Sequence, residues 1–177
     1  MKNRIKPGKV KLIASVFSKD PEMLHKTSRM LEKIFGKIDF QSPLMDFKHT
    51  EYYNAEMGCG LKRIFLGFNR FLHPESAYKT KLKTNAIEKK FTINGKRRVN
   101  IDPGYLDMSK LVLFSTKDYT HRIPMPRGIF AEVTLFYQNK RYNPWPWTYP
   151  DYRTKEYIDI FESIRNIYKE NAKEDAS

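Results

Sequence analysis

Lys9–Gly36, KVKLIASVFSKDPEMLHKTSRMLEKIFG, is the stretch on which the fold turns. Its first half, Lys9 to Phe17, carries Val10, Leu12, Ile13, Val16 and Phe17, a β-rich apolar run short enough for a buried strand. Asp20-Pro21-Glu22 then opens a helix: an N-cap aspartate, a proline at the first helical position and an acid in the first turn. Leu24, Met30, Leu31, Ile34 and Phe35 form its apolar stripe, and Gly36 falls where a C-terminal glycine ends a helix.

The same reading extends outward. Ile38 to Phe47 is extended and interrupted by Pro43, His49 to Gly60 is a loop, and Leu61 to Phe68 is a strand. His73-Pro74-Glu75 opens a second helix running to Phe91 and ended by the Asn94-Gly95 turn. Arg98 to Ile101 is a short strand and Asp102-Pro103-Gly104 a turn. Lys110 to Thr116, Arg122 to Met125 and Gly128 to Tyr137 are strands, and Thr154 to Glu170 is a last helix with Tyr157, Ile160, Phe161, Ile164 and Tyr168 on one face. Through Ile101 the order is strand, helix, strand, strand, helix, strand, which is the ferredoxin-like order. The expectation is an α+β fold: a mostly antiparallel sheet with about three helices, its βαββαβ core extended by the later strands. The 177 residues suit a single domain, with residues 1–8 and 171–177 as flexible ends.

Charge is placed unevenly. Met1–Lys11 holds five basic residues and no acid, and Lys79–Arg98 holds eight against Glu88, so the two stretches carry +12 of the net +13. Gathered on one face they make a patch for an anionic partner, nucleic acid included; spread out, they only solubilise. The remainder is nearly neutral, which suggests separate roles for site and surface charge. The single cysteine, Cys59, excludes an internal disulfide framework or thiolate metal cluster and fits a reducing cytoplasm. No apolar run approaches the ~20 residues of a membrane helix, so no membrane partner is expected. The sequence has no P-loop, no H-E-x-x-H, no G-x-S-x-G and no dinucleotide fingerprint, and the four histidines form no ligand pair, so no metal or cofactor is implied.

The chemistry-bearing residues lie between Asn100 and Tyr152. Asn100 and Asp102 sit at a strand end. In Ser115–Arg122, Lys117 and Arg122 suit phosphate or carboxylate oxygens, and His121 suits proton transfer with an aspartate, Asp118 or Asp102, orienting it. Glu132, inside an apolar strand, needs a partner such as Arg122 or Lys117. Trp145–Tyr152 is stiff and aromatic and either stacks a base or sugar or packs over the core, with Asp151 in its midst. Each of these residues also has a plain structural use, as turn former or satisfied hydrogen-bonding group. If the segments around Asp102, Lys117–Arg122, Glu132 and Asp151 converge, they form a polar pocket for a phosphorylated or nucleotide-like anionic small molecule, with acid–base catalysis by His121 as its extension. The competing expectations are a nucleic-acid-binding module built on the basic stretches, aided by Tyr52, Tyr53 and Trp145, and a protein-interaction domain without a pocket.

As a set, Glu56-Met57-Gly58 with Leu61-Lys62-Arg63, Asn100–Tyr105, Ser115–Asp118 with His121-Arg122-Ile123, Gly128-Ile129 with Ala131–Leu135, and Trp147–Tyr152 resemble the bacterial family known as domain of unknown function 4416. The resemblance spans nearly the whole chain. It implies no activity; some members are described as GTP-binding, for which the P-loop motif is absent here.

Overall fold

A computed structural model describes residues 7–47 and 53–174. Lys2, Arg4 and Lys6 of the first basic stretch, His49, Tyr52 and residues 175–177 lie outside them.

β1 (Val10–Ser18) is buried along its whole length. α1 (Pro21–Phe35) starts as its sequence requires: the Asp20 carboxylate accepts the Glu22 N–H at 3.0 Å, and Gly36, at φ 101°, closes the helix by donating to the Glu32 carbonyl. There follow β2 (Ile38–Gln41), β3 (Met45–Asp46), the single turn α2 (Asn54–Met57) and β4 (Lys62–Leu72). The helix expected over His73–Phe91 is divided into α3 (Pro74–Ala77) and α4 (Lys79–Lys90). At the division the Thr80 hydroxyl donates to the Ala77 carbonyl at 2.7 Å, a local bond of the kind that perturbs a helix ladder. Asn94 and Gly95, both at positive φ, form the expected tight turn inside the Ile93–Lys96 bridge.

β5 (Asn100–Leu106) corrects the sequence reading, because Asp102-Pro103-Gly104 is strand rather than turn. Its residues pair with β1 from Phe17↔Asn100 to Lys11↔Leu106. β6 (Lys110–Ser115), β7 (Ile123–Met125), β8 (Ile129–Gln138) and β9 (Arg141–Pro144) complete the sheet, and α5 (Lys155–Glu174) continues beyond the expected end at Glu170.

The strands run in the order β2-β4-β1-β5-β6-β8-β7, with β3 on β4 and β9 on β8, and every pairing is antiparallel. The first four positions of that order are the ferredoxin-like arrangement, and β6 to β9 extend it from the β5 side. Alternation along β1 divides two cores. Leu12, Ala14 and Val16 face α1 and Ile87 of α4, while Ile13 joins Phe65, Tyr157, Phe161 and Ile164 beneath α5. Lys11 is enclosed on this strand and donates to Asp39 and to the Phe68 carbonyl.

The pairing of β5 with β6 is short. It covers only Gly104↔Leu113, Tyr105↔Val112 and Leu106↔Leu111. Beyond it β5 stays on β1 as far as Asn100, and β6 stays on β8 as far as Ser115. The sheet therefore parts along this seam into two ribbons. Pro103 lies at the parting: it has no N–H to donate, and pairing with β6 begins only at the next residue. Gly104 is the last pair before it. A Cβ there would stand 2.2 Å from the Val112 carbonyl oxygen and 2.8 Å from Leu113 Cδ2.

Candidate functional site

The parted strands enclose a cavity of about 370 Å³. Asn100 and Asp102 of β5 line one side, with Lys81 of α4 and Arg97. Ser115, Thr116, Lys117 and Arg122, from the end of β6 and the loop after it, line the other. Arg63 of β4, Phe47, Tyr53 and the segment Tyr149–Tyr152 complete the walls. Among the described residues five lining side chains are cationic and two, Asp102 and Asp151, are carboxylates.

Arg63, Lys81, Arg97 and Arg122 are each held by specific acceptors. Arg63 is 3 % exposed, donates to Asp151 and to the Tyr157 hydroxyl, and lies with its guanidinium carbon 3.8 Å from the Phe47 ring centroid. Burial opposes its charge, but Tyr152, Tyr157 and the Asp151 carboxylate more than offset that and raise its pKa. Lys81 is buried and donates to the Ile101 carbonyl at 2.9 Å and to Asp102 at 3.4 Å. Arg97 grips Glu56 through Nε and Nη2, both at 2.7 Å, and turns Nη1 to Asn100 at 2.8 Å and Glu88 at 3.3 Å. The Arg97 bond holds the Glu56 carboxyl below its ordinary pKa. Glu88 moves the other way, since burial raises its pKa, although it accepts the Ile101 N–H at 2.7 Å.

Arg122 has its Nε on Glu132 at 2.9 Å, Nη1 on the Lys117 carbonyl at 2.7 Å and Nη2 on the Tyr149 hydroxyl at 2.7 Å. It thus ties the loop after β6 to the Tyr149 segment. Glu132 is buried behind it in β8 and also meets His121 Nε2 at 3.0 Å. The His121 ring stacks on Trp147, and Trp147 on Trp145, whose ring also packs on Phe136. The Trp147 indole donates to the Val133 carbonyl, so the tryptophan segment packs over β8.

Of the residues singled out in the sequence, Asn100, Asp102, Lys117, Arg122 and Asp151 meet at the cavity. Glu132 and His121 stand behind its wall. Asp118 is exposed and outside the lining, and the carboxylate beside His121 is Glu132. Arg63, Lys81 and Arg97 line the cavity without having been chosen, and Tyr53 and Tyr149, read as aromatics for stacking or packing, line it too. Lys81 had a signal: it and Glu88 are seven residues apart, on the helix face that buries Thr84. The separation of surface charge from site charge does not survive, because Lys81 and Arg97 belong to the second basic stretch yet point inward. Lys79, Lys83, Lys89, Lys90, Lys96 and Arg98 remain exposed. Among the described residues no group of three or more His, Cys, Asp or Glu is placed to hold a metal ion, and no helix is long and apolar enough to cross a membrane.

Fold and site together define an α+β protein with a ferredoxin-like half, a strand extension and a charged cleft at their seam. The chain belongs to the family described as domain of unknown function (DUF4416), whose model matches residues 8–168. No curated protein and no solved structure matches it.

Proposed function

We propose that the chain binds a phosphorylated, anionic small molecule in the cleft between β5 and β6. The observation that carries this reading is the gathering of Arg63, Lys81, Arg97, Lys117 and Arg122 around one cavity against two lining carboxylates. Low-dielectric walls focus such a charge set on an anion. The volume suits a metabolite of nucleotide size or smaller, since small-molecule pockets run from about 300 to 1,000 Å³. Binding is favoured over acid–base catalysis, because His121 is engaged with Glu132 behind the wall rather than at the cavity. The lone exposed thiol, Cys59, suits a cytoplasmic setting.

The test is thermal unfolding with orthophosphate, pyrophosphate, nucleoside monophosphates and sugar phosphates. A ligand at a hundredfold its Kd adds about 2.7 kcal/mol, which raises the melting temperature by roughly 5–11 °C at this chain length. Lys117→Ala should weaken that shift. No shift from any of these anions would refute the reading. Retention on nucleic acid that falls steeply with salt would instead favour the exposed basic residues of α4 as a nucleic-acid surface.

A further inference from the structure

The cleft is rich in positive charge but poor in uncommitted donors. Arg97 has its donors on Glu56, Glu88 and Asn100; Arg122 has its own on Glu132, Lys117 and Tyr149. An anion held there is held largely by field, which depends on charge and distance and does little to tell one phosphate from another. Discrimination has to come from a group with hydrogen-bonding capacity to spare. Of the two lining carboxylates, Asp151 is sealed, with Oδ2 on Arg63 and Oδ1 accepting the Tyr152 N–H. Asp102 is different. Among the described residues its Oδ2 accepts from Asn100 Nδ2 at 2.8 Å, its Oδ1 has only the longer 3.4 Å approach of Lys81, and its side chain is 30 % exposed. A carboxylate offers about four lone-pair positions, so acceptor sites on Asp102 stay open toward the cavity.

We propose that Asp102 is the specificity-determining residue of the cleft and that the ligand is a hydroxyl-bearing phosphate, a polyol or sugar phosphate, with one hydroxyl donating to Asp102. An ammonium group would also donate, but five lining cations against two carboxylates repel it. A neutral hydroxyl carries no such penalty. The inference rests on the reading of the cleft as a site for a phosphorylated anion.

The experiment is calorimetric titration of the wild-type chain and of Asp102→Asn with glycerol 3-phosphate, ribose 5-phosphate, propyl phosphate and inorganic phosphate. Propyl phosphate keeps the three-carbon skeleton of glycerol 3-phosphate and lacks its hydroxyls. The wild type should prefer at least one hydroxyl-bearing phosphate over propyl phosphate by roughly ten- to a hundred-fold, the range of a hydrogen bond to a charged group. Asp102→Asn should lose that preference and bind inorganic phosphate more tightly, because a negative charge has left a cationic cleft. Opposite signs for the two kinds of ligand are what a merely structural role would not produce. Equal wild-type affinities for propyl phosphate and both hydroxyl-bearing phosphates would overturn the proposal while leaving the anion site standing. So would an Asp102→Asn variant that weakens all four alike. If none of the four binds, the anion reading falls with it. Should Asp102→Asn not fold, Asp102→Ala serves in its place, and the wild-type comparison decides by itself.

Discussion

Replacing Arg63 by methionine exposes how much the core beneath the cleft depends on one buried pair. Arg63 and Asp151 leave 3 % and 8 % of their side chains exposed, and the pair links the start of β4 to the turn that leads into α5. Methionine fills most of the arginine's volume and keeps an apolar stem against Phe47, so the substitution chiefly removes charge. Asp151 is then a buried carboxylate with its Oδ1 still on the Tyr152 N–H and its Oδ2 bereft. Orphaning one member of such a pair costs about 3–5 kcal/mol. At ~2–4 °C per kcal/mol for a chain of this size, the melting temperature should fall by roughly 6–20 °C. Urea unfolding gives the free energy directly.

One control separates the orphaned charge from simple loss of packing. Adding Asp151→Leu to Arg63→Met should recover most of the loss, since a buried pair replaced by apolar groups is often close to neutral. An Arg63→Met variant that loses less than about 1 kcal/mol, or a double variant no better than the single, would refute the account of Arg63 as a structural cation.

Gly104→Ala should cost about 1–3 kcal/mol as overpacking, because the new methyl meets the Val112 carbonyl and Leu113 of β6; a urea midpoint equal to that of the wild type would show that the seam yields freely. Glu56 has a folded-state pKa held below its ordinary value, first by the side-chain hydrogen bond from Arg97. Its contribution is therefore present above the unfolded value of 4.5 and lost as pH falls through the folded one, so Glu56→Gln should flatten the acid limb of a stability–pH curve measured by urea unfolding and leave its alkaline side unchanged.

The first half of the fold was legible because its signals are local. A capping aspartate, a proline at the first helical position and a terminal glycine mark α1 without help from the rest of the chain. The seam was not, because its signals are local in form and tertiary in use. Pro103 and Gly104 spell a turn to any reader of short windows, and in isolation they would favour one. Pairing with β1 along seven residues of β5 overrides that preference. Arg63 escaped notice for a related reason: a cation in a strand reads as a solvated face until Asp151 closes over it from a segment 88 residues away. Lys81 and Arg97 were counted as surface charge because they fall in a run of eight basic residues, and the other six are exposed.

Adjacent residues of β5 thus do opposite work. Gly104, by having no side chain, lets β6 come close enough to seal the sheet. Pro103, by having no N–H, tolerates the absence of β6 one position earlier. A single residue of register separates the closed sheet from the open cleft, and Asp102 is the next residue along. The pair misread as a turn is what sets that carboxylate at the mouth of the parting, where a ligand would meet it.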